Sequence, residues 1–462
     1  SEDTDSLHVQ NATESILIPG VGAQAYIDIE SLVSVAIESK ADVVVPGYGF
    51  LSESAQFAEA LEKEGIAFAG PNGASVDTFG LKHSARKLAE DSQVPVVPGS
   101  DLISDVNEAA LVAEKIGYPI MLKSTAGGGG MGLKVCRDKL ELETSFREVI
   151  SRGATLFNNS GCFLEKYVES GRHIEVQVFG NGMGYVRTFG ERECSIQRRH
   201  QKVIEEAPSP FIEAGNKQLR KALCLCAAKL AASVKYKSAG TVEFLVDDET
   251  GEFYFLEMNT RLQVEHGITE LVYDVDLVKL MLLQAEYEIR GEIGLPQHVL
   301  EKAGGCKVNA DGISEPKGHA IECRVYAENP VKDFKPSPGI LHQVEFPVST
   351  SPKESRLRID HWISSGCKVS PYFDPLLAKV MVWASTREEA LENMVESLSQ
   401  TKLYGPAQNI DYLTQILRSK SFKDGRTLTT FLTTSFDYTP NLLEFIKPGS
   451  YTTIQDLPGR EV

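Results

Sequence analysis

Residues 238–266 read SAGTVEFLVDDETGEFYFLEMNTRLQVEH. Thr241 to Val246 is a β-branched and aromatic run, and Phe253 to Leu256 is another, with the polar turn Asp247-Asp248-Glu249-Thr250-Gly251 between them. Two such runs around a glycine-containing turn predict a β-hairpin. With the turn centred on Thr250, Glu243 falls opposite Glu257, and alternation puts Asn259 on the same face as Glu257. Facing carboxylates repel unless a cation lies between them, so Glu243, Glu257 and Asn259 form an all-oxygen set suited to Mg²⁺ (or Mn²⁺) and substrate phosphates. Continued alternation assigns Arg261, Gln263 and Glu265 to this polar edge and Met258, Leu262 and Val264 to the other. A merely solvated face would carry Lys, Ser or Thr at some of the odd positions from 257 to 265, and here there are none.

The string EFYFLEMNTRLQVEHG (252–267) resembles the signature of the biotin carboxylases, a branch of the ATP-grasp ligases. The resemblance implies an α/β fold of the ATP-grasp type. It has a parallel α/β amino-terminal domain (1–70, incomplete at its start), a connector (71–98), a small mobile lid (99–167), an ATP-grasp core (168–310) and a carboxy-terminal biotin carboxylase domain (311–437). Residues 438–462 would be a linker and the start of a carboxyltransferase-type domain.

Length and composition agree with this class. A chain of 462 residues exceeds a single core. A formal charge of −17 argues against nucleic-acid or anionic-membrane binding, so any phosphate site must be local. Eight cysteines without a CxxC pair suggest neither a zinc site nor a disulfide framework. With no apolar run of membrane length and no signal-like start, a cytoplasmic protein is expected.

In chain order, residues 29–38 and 53–63 carry helical patterns and 42–45 and 66–69 strand patterns, a parallel α/β layout. PGYGFLSE (46–53) is similar to a biotin carboxylase string that the resemblance places, through Tyr48, near the biotin pocket. In that family the domain begins earlier, so the sequence is expected to be a fragment. Lys82, at the start of a connecting helix, is a nucleotide candidate only by resemblance. A helix over 106–116 and a strand over 118–123 lead into STAGGGGMG (124–132). Gly127, Gly128, Gly129 and Gly130 cost chain entropy that close backbone approach to a ligand would justify. Backbone N–H groups in such a loop cradle phosphates, and Lys123 and Lys134 flank it. No Gly-Lys-Ser/Thr follows, which excludes a Walker A loop; the string is similar to the ATP-grasp lid, with Met131 where that loop commonly has Arg. The segment 163–168 is a strand whose Glu165, Lys166 and Val168, by resemblance, meet adenine. Leu245 and Leu256 join this cofactor set.

His173 lies on an alternating strand as a candidate for ribose or phosphate contact. SIQRRHQKVIEEAP (195–208) is the densest basic cluster of an acidic chain and suits anions. The resemblance carries Gln197 and His200 to the nucleotide and Lys202 to bicarbonate. Residues 213–235 read as a packing helix. PKGHAIECRVYAENP (316–330) resembles the entry to the carboxy-terminal domain of biotin carboxylases. A buried strand Arg needs a partner. By resemblance Arg324 faces biotin and stabilises its enolate, and Glu322 is expected to pair with Arg324. IKPGSYTTIQDLPGR (446–460) is similar to the opening of the carboxyltransferase unit of urea carboxylases.

The mechanism so implied begins with bicarbonate, held by Lys202, Arg261, Gln263 and Val264. Glu265 deprotonates it, and it attacks the γ-phosphorus of ATP to give carboxyphosphate. Biotin on a carrier domain is then carboxylated with Arg324 holding the enolate. Carrier and carboxyltransferase domains are expected on the same polypeptide, urea as the final acceptor, and a homo-oligomer is possible. Competing readings are the biotin carboxylase component of an acyl-CoA or pyruvate carboxylase, an ATP-grasp ligase joining a carboxylate to an amine, and a catalytically silent nucleotide-binding regulatory module.

Overall fold

The computed structural model describes residues 2–124, 133–157, 161–309, 311–348 and 355–441. The four-glycine stretch and the segment 446–460 lie outside these residues.

The alternating apolar pattern at both ends of the amino-terminal part produces two short parallel strands, β1 (Val43–Val44) and β2 (Ala67–Phe68). Helices Ile29–Glu38 and Ala55–Lys63 pack beside them, capped by the side chains of Asp28 and Ser54. The connector is two helices, Gly73–Gly80 and Lys82–Asp91, where a single one was expected. A three-stranded antiparallel sheet follows, β3 (Ile120–Ser124) between β4 (Leu133–Cys136) and β5 (Cys162–Lys166), closed by the helix Val106–Ile116.

An eight-stranded antiparallel sheet dominates the rest. It contains β6 (Gly171–Asn181), β7 (Val186–Arg198), β8 (Gln201–Ala207), β9 (Lys237–Asp247), β10 (Phe253–Asn259), β11 (His319–Tyr326) and the strands Leu376–Ala384 and Ser355–His361. Their spatial order is β10-β9-β6-β7-β8-β11, then Leu376–Ala384, then Ser355–His361. Strand alternation divides this sheet sharply. One face sends Ile174, Val176, Val178, Val242 and Phe244 against Leu223, Ala227 and Leu230 of the helix Lys217–Ser233. Further along, Ile321, Cys323, Val325, Val380 and Val382 meet Ala390, Met394 and Leu398 of the helix Arg387–Gln400. The opposite face carries Glu175, Gln177, Arg192, Glu243, Glu322 and Arg324, all buried. At roughly 1.5–3 kcal/mol per buried apolar side chain, the helix-covered face supplies the stability that offsets so many buried charges.

The hairpin forms with Glu243 opposite Glu257 and Thr241 opposite Asn259. That register is reached through a bulge between Phe255 and Glu257, since Phe253 pairs with Val246 and Phe255 with Phe244. An unbulged ladder would have set Glu257 against Val242. The expected alternation past Asn259 does not occur. β10 stops there, the Thr260 N–H donates to Glu53 Oε1 at 3.0 Å, and Glu265 is the N-cap residue of the helix His266–Tyr273.

Candidate functional site

The hydrophilic face of the large sheet, the start of the helix Lys82–Asp91 and strands β3 and β5 enclose a cleft of ≈ 1150 Å³. Its lining includes Lys82, Lys123, Glu165, His173, Gln197, His200, Lys202, Glu243, Leu256, Glu257, Asn259, Arg261, Gln263, Val264 and Arg324. These come from separate segments of the sequence.

Lys202 is the hub. Its Nζ donates to Glu175, to Glu243 Oε1 at 2.9 Å, to Glu265 Oε1 at 2.6 Å and to Gln263 Oε1 at 3.3 Å. Burial would depress the ammonium, but Glu175, Glu243 and Glu265 outweigh it and hold Lys202 well above its usual range. Burial likewise favours neutral Glu243 and Glu265. Lys202 with His173 overcomes that at Glu243, and Lys202 with Arg324 and Arg192 does so at Glu265, so both carboxyls lie well below the ordinary value. Arg324 Nη2 meets Glu265 Oε2 at 2.9 Å, while its Nε donates to Glu205 Oε1 at 2.6 Å. Glu322, expected as the partner of Arg324, makes no such contact: both of its oxygens are buried without a hydrogen bond. The two side chains leave adjacent pocket-side positions of β11, and Glu205 on β8 takes the guanidinium instead.

His173 Nε2 lies 2.9 Å from Glu243 Oε2, and Gln197 Nε2 donates to His173 Nδ1 at 2.8 Å. Burial pushes this imidazole down, and Glu243 outweighs it, so the ring is raised. Glu257 faces Glu243 across the ladder, and no described side chain donates to it. Burial and then the Glu243 charge push its carboxyl up, against Lys82. Asn259 Nδ2 donates to Glu243 Oε1 at 2.8 Å and its Oδ1 accepts from Arg261 Nη2 at 3.0 Å. Glu243, Glu257 and Asn259 thus offer hard oxygen donors, with the half-buried Glu257 carboxylate receiving no hydrogen bond among the described residues, a set that fits Mg²⁺. Two tighter groups of possible ligands, His173–Glu175–Glu243 and Glu175–Cys194–Glu265, already have the Lys202 ammonium beside them.

Arg199 and His200 form the two-residue turn between β7 and β8, with φ of 50° and 65°. Such a turn ordinarily takes Asn-Gly, so two bulky residues in left-handed conformation mark a site where strain is tolerated. Lys123 pairs with Glu165, and Arg86 Nη1 contacts Glu165 Oε1 at 3.0 Å.

Five predicted residues stand apart from this lining among the described residues, and one of them, Glu265, is fully buried against Lys202 and Arg324. Lys166 Nζ donates to the carbonyls of Gly117 and Tyr118, 2.9 and 3.0 Å, and Val168 follows β5. Leu245 lies beside Gly171. Tyr48 lies over Lys379, with Nζ 5.8 Å from its ring centroid. Gly127, Gly128, Gly129 and Gly130 lie outside the described residues.

Sequence reasoning missed Glu53, Arg86, Glu175, Arg192, Glu205 and Lys379. Arg192 is wholly buried and donates to Glu175, Gln177, Thr269 and Thr241. Glu53 accepts from Arg261 Nε at 2.9 Å, tying the PGYGFLSE turn to the cleft. The signal for Glu53 was available, as an acid ending a string already singled out. Glu175 and Arg192 looked like routine strand polarity, and nothing local distinguishes them.

A nucleotide-sized cleft between a small antiparallel sheet and a larger one, floored by facing glutamates and an Asn, defines the ATP-grasp class of ligases. Models of the biotin carboxylase N-terminal domain, the carbamoyl-phosphate synthase L chain ATP-binding domain and the biotin carboxylase C-terminal domain match residues 1–76, 82–288 and 322–434. The biotin carboxylase of Halalkalibacterium halodurans is 42% identical over 434 residues, 93% of this chain and 90% of that protein. The chain belongs to the biotin carboxylase family, whose members are ATP-dependent carboxylases. A putative urea carboxylase of Emericella nidulans is 52% identical over 459 residues, 99% of this chain but 36% of that protein. The chain therefore spans about a third of the length of that relative. Among solved structures, the biotin carboxylase domain dimer of Hydrogenobacter thermophilus 2-oxoglutarate carboxylase, crystallised with MgADP, ADP and bicarbonate, superposes with a TM-score of 0.83. It is 37% identical and covers 95% of this chain and 92% of that one. All eight cysteines are free, and among the described residues no helix is long and apolar enough to cross a membrane.

Proposed function

We propose that this chain carboxylates biotin on a carrier domain with ATP and bicarbonate, as the first half-reaction of a urea carboxylase. One observation carries the reading: Lys202, Glu265 and Arg324 form a contiguous ion-pair chain in the same cleft as the Glu243–Glu257 pair. Bound Mg²⁺ would be held by Glu243, Glu257 and Asn259 and would neutralise charge on the phosphates during transfer. Lys82, Lys123, Glu165, His173, Gln197 and His200 would orient the nucleotide along the cleft. Lys202, Arg261 and Gln263 would bind bicarbonate through charge and amide contacts. Glu265, ionised between two cations, would accept its proton on Oε1 or Oε2. Arg324, two bonds of whose guanidinium are already fixed, would then present a preorganised charge to the oxyanion that develops on the acceptor. The urea assignment draws on the E. nidulans relative and on residues 446–460. The greater length of that relative supports carrier and carboxyltransferase domains on the same polypeptide, and a cytoplasmic setting is proposed with them.

The test is ADP release by the full-length chain with bicarbonate, comparing urea with acetyl-CoA, propionyl-CoA and pyruvate, each with and without avidin. Urea-stimulated release blocked by avidin supports both halves of the reading. Stimulation by an acyl-CoA or pyruvate instead would overturn the acceptor and leave the carboxylase chemistry.

A further inference from the structure

We propose that Glu205 and Glu322 share one proton behind Arg324, and that this proton keeps the guanidinium charge available to the substrate oxyanion. The inference rests on the biotin carboxylation proposed above, and it concerns two residues that no step of that reaction uses.

Their placement comes from a bulge. Ile196 pairs with Ile204 but Gln197 pairs with Lys202, so β8 has an extra residue at Val203. That residue lets Lys202 and Glu205, three positions apart, both face the hydrophilic side, which plain alternation forbids. Glu205 is then the register partner of Glu322 on β11. Directly opposed side chains in an antiparallel pair have Cβ atoms about 4.5–5.5 Å apart. Both residues are fully buried. Among the described residues, Glu205 Oε2 and both oxygens of Glu322 lack any hydrogen-bond partner.

The surrounding charges are already committed. Arg324 on β11 is shared between Glu205 and Glu265 at the start of the helix His266–Tyr273. Lys379 on the neighbouring strand donates to the Val264 carbonyl at 2.7 Å and lies 3.3 Å from Asp360 of the edge strand. Arg358, also on that edge strand, is occupied by Asp360 and Glu270. On its other side Glu322 is in register with Met381, which brings no donor, and Tyr48 from the turn after β1 lies over Lys379. A buried carboxylate without a donor is far costlier than its neutral acid. A proton on the pair gives Glu322 a donor hydrogen and Glu205 Oε2 an acceptor role. Consistently, burial pushes Glu322 well above the carboxylate range against the pull of Lys379. Burial also pushes Glu205 up to about 7 despite Arg324.

The consequence falls on Arg324. With the proton in place the guanidinium faces two carboxylates; with it lost, a third negative charge stands behind the same cation. Alkaline loss of the proton should thus lower the rate of biotin carboxylation. Glu205 and Glu322 act here as positioning residues.

The experiment uses the full-length chain with bicarbonate and free biotin, following ADP release against pH for wild type and Glu322→Gln. The amide mimics the protonated acid and cannot titrate. The expected result is a rate within about threefold of wild type at neutral pH and loss of the alkaline fall that wild type shows. An unchanged alkaline limb overturns the proposal. If Glu322→Gln shows no cooperative unfolding transition, Glu205→Gln removes the same shared proton and takes its place in the comparison. Infrared difference spectra of wild type against the Gln variant supply a readout independent of turnover. A protonated-carboxyl band at neutral pH, absent in the variant, is expected, and its absence from wild type overturns the pair. Loss of biotin-dependent ADP release in wild type, with the band present, would instead overturn the carboxylation reading alone.

Discussion

The two ends of the hydrophilic face solve one problem in opposite ways. Around Lys202, three glutamates converge on a single ammonium, and Glu243 and Glu265 are held well below the usual carboxylate range. Further along the sheet, at Glu205 and Glu322, the cations are already taken and the carboxyls are raised. The glutamates at both ends are buried, so depth alone does not set the charge of an acid. The count of available donors does. The Lys202 end therefore holds Glu243 and Glu265 ionised, whereas the Glu322 end favours a bound proton.

Removing the hub should give the largest effect. Lys202→Met leaves Glu175, Glu243 and Glu265 without their shared cation, and stranding buried charge costs roughly 3–5 kcal/mol. The denaturation midpoint should fall markedly and bicarbonate-dependent ADP release should vanish; an unchanged midpoint would break the contrast between the two ends. Next comes Glu265→Ala, which should abolish carboxylation while nucleotide binding, read by calorimetry, persists. Normal turnover in that variant would remove Glu265 from its assigned role.

Glu53→Gln is a smaller intervention. Glu53 is half-exposed at the rim and steadies Arg261 and the Thr260 backbone from another part of the chain. A partly exposed pair contributes about 0–1 kcal/mol to stability, so the effect should appear as a severalfold rise in the bicarbonate KM with little change in Tm. A kcat effect without a KM effect would argue against positioning of Arg261.

The smallest expected signal is in the pH dependence of stability. Burial, then the Lys379 charge, lowers His266 to about 3. Because its folded value lies below its unfolded one, the unfolded chain binds the proton first. The neutral ring thus contributes fully above about 6.5 and loses that contribution as pH falls toward 3. His266→Gln should flatten the acid slope of stability in that window, and an identical slope would assign it to other groups.

Much of the site was legible because it depends on local periodicity. The helices 29–38 and 106–116 and the basic segment ending at Lys202 follow from spacing within a few residues, and the Glu243–Glu257 pairing expected from the turn is met, though through a bulge. Three features were not legible. The bulges at Leu256 and Val203 shift register by one residue, and no residue type there announces it. The departure of 260–265 from the strand depends on Glu53, more than two hundred positions away. Glu175 meets Glu243, and Glu205 meets Glu322, only through strand pairs joined over long sequence intervals, so their alternation read as ordinary half-burial. Arg324 was found, but its partner was misassigned. Sequence placed Glu322 two residues away on the same face, and only the sheet order reveals Glu205 as the nearer acceptor.

The Arg199-His200 turn has a consequence for anyone redesigning this molecule. A stability-minded engineer would replace these two left-handed residues with Asn-Gly, the pair that such a hairpin favours. The change would very naturally raise the melting temperature, since it relieves backbone strain. It would also delete His200 from the mouth of the cleft and detach Arg199 from Asp333. A thermostability screen scored on folding alone would enrich that substitution and discard the working protein along with the strain.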